Sequence, residues 1–218
     1  MVTQIKVIER QVDFITISDP PEGVLFPSDA VQYQYEVTFK DGNKVLPKKD
    51  DIIFETTIGK NSVVGIQSPI GKNVYTVFLY EYKENWIMNG YANLEIFNDS
   101  TFTNKEGLSL PMEGFNFVKL EINESDKAVW IYADEKNIVT ISIFDREPFE
   151  ESIIEEISID NGNVDIGYIG VDELDNKYFY YFDSDKTVVI SGNIKEKELI
   201  SMAKSLPSVN SAFFPKSE

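Results

Sequence analysis

Between residues 115 and 191 the chain repeats one pattern, and that pattern constrains the fold more than anything else in it. Short runs rich in β-branched and aromatic residues alternate with polar turns of four or five residues. "FNFVKLEI" (115–122) leads through 123–127 to "AVWIYA" (128–133), and 134–137 lead to "IVTISIF" (138–144). "IIEEISI" (153–159) leads through 160–163 to "VDIGYIG" (164–170), and "KYFYYF" (177–182) through 183–186 to "TVVIS" (187–191). A turn this short folds the chain back beside itself. A parallel neighbour needs a crossover of a dozen or more residues. The pattern therefore predicts an antiparallel sheet.

One segment breaks the rhythm. In residues 195–206, Leu199, Ile200, Met202, Ala203 and Leu206 recur at helical spacing, with charged residues between them. Asn193 reads as the N-cap, Glu196 as its capping-box partner, and Pro207 as the stop. An open sheet has an apolar face to cover, and an amphipathic helix at the end of the chain can cover it. Residues 108–218 are therefore expected to form an α+β domain, an antiparallel sheet covered by a C-terminal helix.

The first half also reads as β. "VQYQYEVTF" (31–39) alternates with a period of two, and "DIIFETT" (51–57), "NVYTVFLYEY" (73–82) and "GYANLEIFN" (90–98) follow. "IKVIER" and "VDFITIS" precede them, up to Pro20-Pro21. Polar residues 99–111, with Gly107 and Pro111, place a boundary near 107. Residues 1–107 are expected to form a β-sandwich. "YQYEVTFKDGNKVLP", "IIFETTIG", a long strand and "NGYANLEI" resemble a bacterial immunoglobulin-like domain of the invasin/intimin type. That resemblance implies a spacer or binding module on a cell surface.

The second half resembles domain-of-unknown-function family 4367. Ile190-Ser191-Gly192-Asn193-Ile194 and Glu198-Leu199-Ile200-Ser201-Met202-Ala203-Lys204-Ser205-Leu206 follow its closing motif. Leu110-Pro111-Met112-Glu113-Gly114-Phe115 follows its opening with one residue inserted. The likeness covers residues 110–206. It implies an extracytoplasmic setting in a Gram-positive spore-former, in chains of anti-sigma-factor or lipoprotein type, and it supplies no catalytic residues.

Composition narrows the chemistry. The chain has 218 residues, with 20 Lys and Arg against 37 Asp and Glu, for a net charge of -17. Such a field repels nucleic acid and anionic membranes. Residues 108–218 carry 22 of the acidic residues. There is no cysteine and no histidine. Cysteine–histidine zinc sites, iron–sulfur clusters, thiol redox chemistry and Ser-His-Asp catalysis are excluded or nearly so. No cofactor is expected. A general base at neutral pH would have to be a strongly shifted carboxylate or lysine. No run approaches the roughly 20 apolar residues that span a bilayer, so no membrane span is expected within this sequence. The expected setting is extracytoplasmic, with a leader or anchor outside the sequence; cytoplasmic is the alternative.

Two apolar clusters stand out as candidate binding surfaces. The first is the aromatic run 178–182, with Tyr178, Tyr180 and Phe182 on one face and Phe179 and Tyr181 on the other. It reads either as a central strand covered on both sides or as a contact surface with one face open. The second is Trp86-Ile87-Met88, expected in a loop at one end of the sandwich. There it either plugs the core or forms an exposed tip. Acidic clusters at Asp172/Glu173/Asp175, Asp183/Asp185 and Glu150/Glu151/Glu155/Glu156 lack the calcium-loop spacing and read as solvated turns. The expected function is a non-enzymatic interaction module, regulatory or sensory, whose partner is a protein or cell-envelope component. Adhesin-like, envelope or phage structural roles come second, and a carboxylate-based hydrolase third.

Overall fold

In the computed structural model, which describes residues 11–97, 102–103, 108–122, 125–149, 155–159 and 164–216, the chain is mainly β. The expected strand "IKVIER", the polar stretch 98–101 and 104–107, the turn 160–163 and the acidic pair Glu150/Glu151 lie outside the described residues.

Three antiparallel sheets form among the described residues, all built from sequential neighbours except at one place. The first is β1 (Val12–Ile17), β2 (Tyr35–Phe39) and β3 (Lys44–Val45). The second is β4 (Ile52–Ile58), β5 (Asn61–Gln67), β6 (Val74–Lys83) and β7 (Asn85–Glu95). The third contains β8 (Phe102–Thr103), β9 (Gly114–Glu121), β10 (Ala128–Ala133), β11 (Ile138–Asp145), β12 (Glu155–Ser158), β13 (Ile166–Val171), β14 (Lys177–Asp183) and β15 (Lys186–Gly192). Its order is β12-β13-β14-β15-β11-β10-β9-β8, so the last strand inserts at the centre, beside β11. Two helices complete the fold: α1 (Pro27–Gln34) and α2 (Glu196–Ser205).

Alternating faces stack these elements into four layers. Leu199, Met202, Ala203 and Leu206 of α2 and the segment after it bury against Trp130, Ile141, Phe179, Tyr181, Val188 and Ile190 on one face of the large sheet. The C-terminal helix therefore covers the sheet as its spacing predicts. The opposite face of that sheet, through Val129, Ile131, Phe144, Tyr178, Tyr180 and Val189, meets Phe54, Val77, Leu79 and Leu94 of the four-stranded sheet. The far side of the four-stranded sheet packs through Val64, Ile66, Phe78 and Tyr80 on α1 and the three-stranded sheet.

Several local elements differ from expectation. Residues 31–34 are helical, and the strand begins only at Tyr35. Pro27 occupies the first turn with its φ preset, and Ala30, Val31 and Gln34 form a buried helical stripe. Residues 61–67 form β5, a strand not expected from periodicity, because six of its seven residues are buried and no polar face alternates. Trp86, Ile87 and Met88 lie inside β7, not in a loop; the reversal occurs at Glu84 alone, in left-handed backbone at φ 74°. Lys195, not Asn193, is the N-cap of α2, and its amide donates to Glu198 Oε2 at 2.8 Å.

A polar tie joins the second and third sheets. Glu81 on β6 accepts from Lys127 Nζ at 2.8 Å and from Lys83 and Asn89. Burial works to raise its pKa, but these partners outweigh it and hold the carboxyl at about 2. A depressed carboxyl stabilises the fold above its ordinary value of 4.5, and that contribution is lost as pH falls from there toward 2. Glu81→Gln should therefore be less stable than the parent at pH 7 and equal to it near pH 2, as measured by urea denaturation across that range.

Candidate functional site

A cleft of about 300 Å³ opens at the edge of β4, where the turn between β13 and β14 meets the start of α1. Its apolar wall includes Leu25, Phe26, Trp86 and Tyr178, and its polar wall Glu55, Thr57, Asp172 and Glu173. None of its lining residues is basic.

The polar wall exists because an edge strand needs cover. β4 presents unpaired backbone groups on its outer side. The β13–β14 turn supplies side chains to meet them: Asp172 Oδ2 accepts from Glu55 N at 3.1 Å, and Asn176 Nδ2 donates to Ile53 O at 3.0 Å. Asp172 also accepts from the amides of Leu174 (2.9 Å) and Asn176 (2.7 Å), so one carboxylate both closes its own turn and holds the strand. Asp175, in left-handed backbone at φ 65°, completes the reversal.

Glu55 is only 2% exposed, and its burial has a structural cause. Phe26, the N-cap of α1, has no side-chain oxygen to offer. Glu55 Oε2 reaches across 27 residues to accept from Ser28 N at 2.8 Å, capping the helix from a strand. Burial raises the Glu55 pKa, Ser28 pulls it down, and repulsion from Glu173 and Asp172 adds to the rise. Burial likewise raises Asp172 against its hydrogen bonds. A carboxyl raised on folding holds its proton longer in the native state. Its ionisation therefore lowers stability as pH climbs above the ordinary value of 4.5. Glu55→Gln keeps an acceptor for Ser28 and removes that loss. It should match the parent below pH 4.5 and exceed it at pH 7, opposite in sign to Glu81→Gln in the same denaturation series.

The apolar wall gathers residues from distant parts of the chain. Trp86 sits at the hairpin tip of β7, packs edge-on to Tyr82 with ring centroids 5.3 Å apart, and donates its indole N–H to Leu25 O at 2.9 Å. That bond fixes the segment before α1, where Leu25 stands 75% exposed at the rim. Tyr178 lies over Gly170, whose missing Cβ leaves room for the ring; an ideal Cβ there would sit 2.2 Å from Tyr178 Cζ. Phe54 over Gly65 repeats the device one sheet away.

The structure thus brings Trp86 and Tyr178, two residues from separate sequence clusters, to one cleft together with Asp172 and Glu173. The other candidates lie elsewhere. Tyr180 is buried between the sheets, stacked on Tyr168 at 5.1 Å. Phe182 is half-buried beneath the Arg146 guanidinium, 4.4 Å from its ring. Met88 is half-buried beside the α1 layer, and Ile87 is exposed. Both faces of the aromatic run are covered, one by α2 and one by the four-stranded sheet, so the run itself presents no open face. Asp172 is not a freely solvated turn residue but a strand-holding one. Periodicity did not point to Glu55: it sits in an alternating strand where its partner, Ser28, is visible only in three dimensions.

Comparison with protein-family models, with curated proteins and with solved structures returns no match. Among the described residues, no helix is long and apolar enough to cross a membrane.

Proposed function

We propose that this chain is a non-enzymatic binding module whose cleft at the β4 edge receives a small ligand or a protruding side chain. The observation that carries this reading is the composition of the cleft: the largely buried aromatic side chains of Trp86 and Tyr178 line it together with the polar groups of Glu55, Thr57 and Asp172, the combination that orients a bound group. Its carboxylates are already engaged in holding the fold. Asp172 accepts from three backbone amides, and Glu55 caps α1. Groups held this way are poor candidates to shuttle protons, which favours binding over hydrolysis. A sensory or regulatory role outside the membrane, with a protein or cell-envelope component as the source of the ligand, is proposed from the sequence motifs at 190–194 and 198–206 alone, since no family model matches the chain.

The test uses a plugged variant. Glu173 is exposed at the cleft wall, so Glu173→Trp fills the opening from outside. Fragments of mixed charge are screened by NMR, with the Trp86 indole N–H as reporter. Fragments that shift that resonance in the parent and not in Glu173→Trp support the reading. A screen in which none shifts it overturns the reading.

A further inference from the structure

We infer that residues 19–25 form a hinged lid over this cleft, latched by the bond from the Trp86 indole to the Leu25 carbonyl. This deepens the binding-module reading, and the use of the lid rests on it, but its opening is measurable without a ligand. The starting point is access. Trp86 is 9% exposed and Tyr178 6%, although both line the cleft. Leu25 and Phe26 line the same opening and are themselves exposed. The outer cover on this side is therefore the segment that runs into α1. A ligand gains the face of the Trp86 ring when that segment swings away.

The segment is fixed at its ends and weakly held between them. At one end Ser18 N donates to Gln34 O at 3.0 Å. At the other, Phe26 O accepts from Asp29 N and Ala30 N at 3.1 Å, opening the first turn of α1. Among the described residues, 19–25 take one hydrogen bond from the rest of the fold, Trp86 Nε1 to Leu25 O at 2.9 Å. Val24 packs a half-buried side chain on the outer core, while Asp19, Pro21, Glu22, Gly23 and Leu25 are exposed. Few buried contacts and a single tie mark a segment that opens without global unfolding. Gly23 supplies the hinge. Its φ is 82°, left-handed backbone that favours glycine, and a Cβ there would meet nothing within 4 Å. Pro20 and Pro21 fix φ on the other side and keep the arm stiff, which concentrates the movement at 23–25, beside the latch.

The test is exchange of the Trp86 indole N–H with solvent, followed by NMR in the full chain at increasing urea. A latch that opens locally exchanges with almost no urea dependence, whereas the amides of the central strands β10 and β11 show the full dependence of global unfolding. Gly23→Ala strains the closed lid alone, because its Cβ touches nothing. It is expected to speed Trp86 exchange roughly tenfold, with β10 and β11 as protected as in the parent. Trp86 exchange that tracks the urea dependence of β10 and β11 overturns the lid. So does a Gly23→Ala rate equal to the parent's, or an equal loss of protection in β10 and β11. Each of these results leaves the binding-module reading standing, since a fragment can still bind a fixed cleft. A lid that opens as expected beside a silent fragment screen sinks the binding-module reading instead.

Discussion

Gly192→Ala should leave the chain without a cooperative unfolding transition, or cost it more than about 4 kcal/mol. Gly192 ends β15 with φ at 146°, a region that side chains rarely enter. A Cβ there would lie 2.1 Å from Ile138 O and 2.9 Å from Val139 Cα, both backbone atoms of the adjacent central strand β11. No rotamer change relieves a clash with backbone, so the two central strands would have to part. The close approach serves Asn193, which accepts from Ile138 N at 2.7 Å and donates to Lys136 O at 2.9 Å. This side chain locks the β10–β11 turn to the end of β15. Asn193→Ala, which loses those bonds without the clash, should cost only about 1–3 kcal/mol. Urea denaturation followed by circular dichroism distinguishes the two. A Gly192→Ala protein within about 1 kcal/mol of the parent would show that the strands do not approach this closely.

Asp172→Ala should cost about 2–3 kcal/mol, the next largest effect. It strands the amides of Glu55, Leu174 and Asn176 together. The loss should also be local, because the freed groups belong to the β4 edge and to the turn that covers it. Hydrogen exchange should therefore accelerate at Glu55, Leu174 and Asn176, while the amides of β10 and β11 keep their protection. An uncovered edge also invites pairing with a second chain, so Asp172→Ala should show concentration-dependent self-association by sedimentation that Asn176→Ala shows less strongly. A variant as stable as the parent, with unchanged exchange at Glu55, would remove Asp172 from this role.

Much of the architecture could be read from local pattern, because polar turns of four or five residues dictate neighbours. The β9–β10, β10–β11, β12–β13 and β14–β15 pairings follow from turn spacing alone, and α2 follows from its stripe. Two elements escaped for different reasons. The alternation of 31–39 mimicked a strand throughout, although Pro27-Ser28-Asp29 is a helix-start signal that outweighs it for the first four residues. β5 hides because a strand buried on both faces has no period to detect. The site was less legible. Trp86 and Tyr178 stood out as aromatic, but their meeting depends on how two sheets stack, and stacking is set by shape at contacts between residues roughly 90 apart. Glu55 carried no local signal, since its reason for being buried is a helix terminus 27 residues earlier.

The insertion of β15 at the middle of the large sheet has a consequence for how this protein is born. Val77, Leu79 and Leu94 of the four-stranded sheet are shielded in part by Val189, so their cover is incomplete until that strand has left the ribosome. At typical synthesis rates of 5–20 residues per second, that leaves a greasy plane bare for roughly 5–20 s. Nascent chains of this protein should therefore depend on chaperones through most of elongation, and the final strand should act as the keystone of folding.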